Sequence, residues 1–260
     1  MIHSIEWEVY SQNLPIGKKL FRTVWRKECR RRYQYATTIL TPSEATASTL
    51  RAEGFEPPIV VTPLGVDTER FRPLNQAERR ERRRSLGISD HTFVFGYLGR
   101  FGAEKNLELL VRAFNELNHP QSHLLMVGGE SEALEALNQH PNTTFKGPTA
   151  APEAFYPLMD AYVLPSLSES APLAILEAMA CGAIPLSTPV GNVPSYINEK
   201  IGFLFSPNSL GELVSAMQSL LDAPNEQQAR RDHARALVIR EFDWQASAQR
   251  IAAIMHKSLD

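Results

Sequence analysis

Two glutamates eight positions apart, Glu169 and Glu177, lie in the stretch L-P-S-L-S-E-S-A-P-L-A-I-L-E-A-M-A-C-G-A-I-P from Leu164 to Pro185. Ionised carboxylates accept hydrogen bonds, so a pair beside a phosphate-binding element points to a ligand carrying both hydroxyls and phosphate. The surrounding pattern supplies that element. Ala161 to Leu164 reads as a short apolar strand and Ser166 to Ser170 as the polar turn after it. Ser170 is placed to cap a helix whose first turn carries Pro172, where a missing N–H is harmless. Free amides of Leu173, Ala174 and their neighbour Ala171 would then face an anion, helped by about half a positive charge of helix dipole. Glu169 falls in the turn and Glu177 about a turn and a half into the helix, at roughly 3.6 residues per turn. Alone, such glutamates are more simply a solvated turn residue and a helix residue near the dipole's positive end. Combined with the anion site, they suggest a nucleotide sugar.

Cations occupy a second loop. G-R-F-G-A-E-K-N, Gly99 to Asn106, follows the apolar run Phe93 to Leu98 and places Arg100 and Lys105 around a turn. Gly99 and Gly102 permit close backbone approach, and Asn106 is positioned as a helix cap. A departing diphosphate accumulates negative charge, so two cations there act mainly on the transition state. Two exposed surface cations are the plainer alternative. Val127-Gly128-Gly129-Glu130 ends another apolar run, and no G-x-G-x-x-G opens a helix anywhere in the chain. No D-x-D pair is present, and Cys29 and Cys181 form neither a disulfide framework nor a metal spacing. Neither a metal nor a cofactor is therefore expected.

These loops need a scaffold. Phe93–Leu98, Ser122–Val127, Thr143–Lys146, Ala161–Leu164, Ile184–Ser187 and Gly202–Phe205 read as strands, alternating with helices over Leu107–Leu117, Ser131–Gln139, Pro152–Met159 and Leu173–Cys181. Such alternation predicts an α/β fold, a Rossmann-like parallel sheet with helices on both faces. Ligands bind beyond the carboxyl ends of such strands, where both loops fall.

E-S-A-P-L-A-I-L-E-A-M-A-C-G resembles the glutamate, seven residues, glutamate signature of the retaining glycosyltransferases of family 4, which have the two-domain GT-B fold. The likeness extends through several motifs in order. It implies that Glu177 holds the ribose hydroxyls and Glu169 the donor sugar, while Gly99, Arg100, Lys105 and the amides of Ala171, Leu173 and Ala174 meet the diphosphate. Gly128 would lie beside the nucleotide. Phe145-Lys146-Gly147-Pro148 would line the base, mostly through backbone groups, with Lys146 more simply an exposed strand-end residue. His3 matches the position of an active-site histidine in that family. Val60 to Pro73 resembles its interdomain segment, with Gly65 allowing a positive backbone angle. The resemblance thus divides the chain into residues 1–73, a remnant of the N-terminal acceptor-side domain with the interdomain segment; 74–243, the nucleotide-sugar donor-binding domain; and 244–260, a C-terminal crossover helix whose Trp244 and Ile251 are expected to face a truncated or swapped surface. It also implies further strand and helix units upstream of Met1. Gly191-Asn192-Val193-Pro194-Ser195 departs from the family's glycine, glycine, proline, glutamate turn, which removes the family's glutamate there.

The activity implied is transfer of a sugar from a UDP-, GDP- or ADP-sugar to an unknown sugar or lipid acceptor, with retention. The alternative is a nucleotide-sugar-binding module without catalysis. A sugar-nucleotide epimerase shares the architecture but fits the two-glutamate motif less well. Bulk properties agree with a soluble protein: 260 residues, 43% hydrophobic and 22% charged, with net charge -2. That balance gives no general case for nucleic acid. No apolar signal core opens the chain, so a cytoplasmic location is expected. The stretch Tyr10 to Arg32 carries Leu20, Phe21, Val24, Trp25 and Cys29 at helical spacing beside a basic face. A helix packing that stripe on a domain is the favoured reading, with peripheral membrane contact and dimerisation left open. The arginine-rich segment Asn75 to Gly87 reads as a solvated linker helix.

Overall fold

The computed structural model describes residues 18–129, 132–138 and 140–257. Its first part is a small unit: helix α1 (Lys18–Tyr33), strand β1 (Ile39–Thr41), helix α2 (Glu44–Ala52) and strand β2 (Ile59–Val61), with the two strands parallel. Ser43 caps α2 by accepting from the Thr46 amide. Cys29, Ile39, Leu50 and Phe55 form its core. The apolar stripe of α1 is covered only toward its end. Cys29 is buried and Phe21 stacks on Trp25, but Leu20 and Val24 are 71% and 58% exposed.

Helix α3 (Gln76–Ser85) then leads into a six-stranded parallel sheet. Its strands are β3 (Phe93–Leu98), β4 (Ser122–Val127), β5 (Thr143–Lys146), β6 (Ala161–Leu164), β7 (Ile184–Ser187) and β8 (Phe203–Leu204), in the order β5-β4-β3-β6-β7-β8. Every residue of β4, β6 and β7 is buried, as expected of parallel strands covered on both faces. The covering helices are α4 (Leu107–Leu117), α5 (Glu132–Leu137), α6 (Leu173–Ala180), α7 (Leu210–Asp222) and α8 (Pro224–Glu241). The chain order reverses between β3 and β6, so the sheet has its switch point beside the cation loop and the glutamate turn.

A last helix, α9 (Trp244–Lys257), is tied to the linker. Val66 donates to the Phe242 carbonyl and accepts from the Trp244 amide, and Ser247 Oγ donates to the Pro63 carbonyl. Trp244 itself stays 49% exposed. Among the described residues, no helix is long and apolar enough to cross a membrane.

Local expectations change in five places. Pro152–Met159 forms two short 3-10 turns rather than a helix, because Pro157 lacks the amide needed to continue one. Ser170 is not the cap of α6: Pro172 holds that position, with no side-chain cap bond. Asn106 does not cap α4 through its side chain either; it turns the backbone through φ 51° and donates to Asn208 Oδ1 at 3.2 Å. Gly65 does not require a positive φ. An added Cβ there would lie 2.3 Å from Trp244 Cα, so close packing against α9 selects glycine. Finally, α3 is not merely solvated: Arg83 is buried, and Arg79 and Arg83 both bind Asp160.

Candidate active site

The site gathers at the carboxyl ends of β3, β4, β6 and β7. Lys105 ends a 3-10 turn over Ala103–Lys105. Its Nζ donates to Glu169 Oε1 at 2.6 Å, with the two side chains only 16% and 14% exposed. Ser166 Oγ donates to the same oxygen at 2.9 Å. Ser166 is itself buried, and its carbonyl accepts from Thr188 Oγ1 at 2.6 Å, which ties the turn after β6 to the end of β7. The Leu167 amide donates to the Glu104 carbonyl at 2.8 Å and so joins the glutamate turn to the cation loop. Beneath it, Gly191 has φ 54°, and an added Cβ would fall 2.4 Å from the Ser170 carbonyl oxygen. The turn from Gly191 therefore sits directly against the Glu169–Ser170 backbone.

Glu177 has a separate support. Tyr156 OH donates to Glu177 Oε2 at 2.9 Å. Burial pushes the Glu177 carboxyl above its ordinary pKa, opposed by that hydrogen bond and by the charge of Arg70. Tyr156 belongs to a buried layer with Tyr162 and Tyr97, at ring separations of 5.8 and 6.2 Å. Tyr162 OH donates to the Leu98 carbonyl and Tyr97 OH to the Arg100 carbonyl, so the layer braces the loop after β3. Burial raises the Tyr162 hydroxyl well above its usual pKa, and Glu169 and Glu177 both add to the shift. The two carboxylates thus flank one tyrosine layer. Gly128, at φ 126°, leaves no room for a side chain: a Cβ would lie 2.2 Å from the Gly99 carbonyl oxygen.

The profile of the family described as Glycosyl transferases group 1 matches residues 78–237. The chain belongs to this family. Among curated relatives, it is 30% identical over 227 residues to a sulfoquinovosyl transferase of Arabidopsis thaliana, covering 84% of this chain and 44% of that protein. It is 32% identical over 209 residues to a D-inositol 3-phosphate glycosyltransferase of Corynebacterium jeikeium, covering 74% of this chain and 50% of that protein. The chain spans about half the length of these curated relatives. Solved GT-B structures share the fold. A sucrose-phosphate synthase from Thermosynechococcus elongatus superimposes with TM-score 0.84 at 23% identity, over 98% of this chain and 66% of that one. An Anabaena protein, HepE, solved with UDP-glucose, gives 0.82 at 20% identity, over 93% of this chain and 70% of that one.

Within this group 1 chain, the anticipated site residues divide into those in contact and those merely nearby. Lys105 and Glu169 touch, Gly99 and Gly128 pack backbone to backbone, and Ala171, Leu173 and Ala174 lie at the start of α6. Arg100 extends outward, its side chain 84% exposed and 3.3 Å from Glu104. Lys146 is exposed at the end of β5. His3 lies outside the described residues. Ser166 and Tyr156 carry supporting roles that the sequence did not single out, and Gly191, which the sequence placed in a turn, packs that turn against Ser170. Ser166 was legible only as part of a polar turn, and Tyr156 was hidden inside a stretch patterned like a helix.

Proposed function

We propose that this chain carries the donor half of a retaining glycosyltransferase that uses a nucleoside-diphosphate sugar. The Lys105–Glu169 contact of 2.6 Å carries the reading. It sets a phosphate-seeking cation against a hydroxyl-seeking carboxylate at the start of α6, where diphosphate and sugar would meet. In this reading Lys105, Arg100 and the amides at Leu173 and Ala174 neutralise the diphosphate. Glu169 accepts from donor-sugar hydroxyls and Glu177 from the ribose. Tyr156 holds Glu177, leaving one carboxylate oxygen for the ligand. The glycosidic bond breaks toward the diphosphate, the acceptor oxygen enters on the same face, and its proton passes to the leaving phosphate oxygen. Residues 74–243 form the donor-binding unit, residues 1–73 belong to the acceptor side with the linker, and 244–260 form the crossover helix.

Calorimetric titration with UDP, GDP and ADP tests the site. One nucleotide should bind, and Glu177→Ala should weaken it roughly 10- to 100-fold, the worth of a charged hydrogen bond. Equal affinity in wild type and variant refutes the ribose assignment. Sugar transfer from the donor that binds, followed by mass spectrometry, separates an enzyme from a binding module.

A further inference from the structure

A second cleft opens at the other edge of the sheet. About 310 Å³ lies among the start of α3, the end of α6 and one face of α8. Met159 on its wall precedes β6, and Cys181 and Gly182 precede β7, so the cleft faces the amino ends of the strands, away from Lys105 and Glu169.

Its charge is unbalanced. Buried Asp160 accepts from Arg79 at 2.8 Å, Arg83 at 2.6 Å and Arg231 at 2.6 Å. Arg235, on the same wall, donates to the Ala180 carbonyl. The carboxylate on the cleft's lining, Asp232, accepts from Gln228 at 2.9 Å. Three guanidiniums on the lining, Arg79, Arg231 and Arg235, stand against one carboxylate, Asp232, and the Arg83–Asp160 pair behind them adds no net charge, so two positive charges are in excess. Arg231 Nε is also buried without a hydrogen-bond partner. A buried N–H left unpaired loses its hydration without replacement, which leaves Arg231 one acceptor short. Arg72 adds a further positive field at Arg235.

We propose that this cleft binds a phosphate monoester. Its phosphate lies against Arg231 and Arg235, since guanidinium forks match phosphate oxygens. The volume exceeds what phosphate alone fills and leaves room for a small ester group. Binding here is independent of the donor-site reading. It is tested by calorimetric titration of the full chain in low-salt, phosphate-free buffer, with inorganic phosphate and glycerol 3-phosphate as probes. Both should bind saturably, glycerol 3-phosphate the tighter. Arg235→Gln and Gln228→Glu should each weaken binding at least about tenfold, while Lys105→Met leaves it within about twofold. Gln228 is exposed, so its substitution keeps the fold, and thermal melts of each variant check this. Binding abolished by Lys105→Met but kept in Gln228→Glu would place the phosphate at the opposite edge and overturn the proposal. So would failure of glycerol 3-phosphate to bind at about 10 mM.

Discussion

Replacing Glu169 by glutamine removes one charge from a contact that is 2.6 Å long and flanked by side chains less than a fifth exposed. At that distance and an effective dielectric of about 20, the attraction is about 6 kcal/mol, of which desolvation leaves roughly 1.5 to 3 kcal/mol net. A diphosphate that recruits Lys105 must compete with Glu169 for it. Glu169→Gln therefore frees Lys105, and affinity for the bare nucleoside diphosphate should rise by up to about tenfold, given about 1.4 kcal/mol per decade. Lys105→Met should do the reverse and weaken it by roughly 10- to 100-fold. The sugar nucleotide should behave differently: on the proposed role of Glu169, Glu169→Gln replaces the charged acceptor of the sugar hydroxyls by a neutral one, so the preference for sugar nucleotide over bare diphosphate should shrink by a similar factor. The assay is titration calorimetry of wild type, both single variants and the double variant with each ligand. If Glu169→Gln weakens the bare diphosphate as strongly as Lys105→Met does, the two residues act as one structural unit and the competition argument is wrong.

Other outcomes follow from the scaffold. Asp160→Asn should destabilise the fold by about 3 to 5 kcal/mol in urea unfolding, because it leaves Arg83, 4% exposed, without its counter-charge; a loss under about 1 kcal/mol would show that the carbonyls of Leu158 and Thr92 suffice. His123 lies buried beside Thr144, and burial lowers its pKa from 6.5 to about 4, assisted by the charge of Arg83. The folded state thus binds fewer protons than the unfolded state, so this stability is complete above about pH 6.5 and is lost as pH falls toward 4. The loss should reach roughly 3 kcal/mol, and His123→Gln should flatten that part of the stability curve; an unchanged slope would assign it to other groups. Gly128→Ala pushes a Cβ onto the Gly99 backbone, which cannot yield as a side chain can. Nucleotide affinity should drop at least about tenfold while Gly211→Ala, where nothing lies within 4 Å of the added Cβ, leaves it unchanged.

The alternation of apolar runs with helical stretches was sufficient for the parallel sheet, because strands buried on both faces must be apolar at every position, as β4, β6 and β7 are. Several local features were not legible. Pro152–Met159 has helical patterning, yet Pro157 breaks it into turns that deliver Tyr156 to Glu177. The arginines of α3 resemble a solvated face because their partner, Asp160, is remote in sequence. Gly65 looks like a hinge, and only the position of α9 reveals that it is a contact.

By itself the sequence located the two loops: which one carries Glu169 and which one Arg100 and Lys105, and that both follow strands whose carboxyl ends share one edge. Residue types and periodicity are local properties, and they suffice for that. Tertiary structure alone decided the pairings. Lys105 meets Glu169 across 64 positions because β3 and β6 are neighbours in the sheet, and Arg231 reaches Asp160 across 71 because α8 folds back to the strands' amino ends. Such contacts depend on strand order and helix placement, which no local pattern encodes.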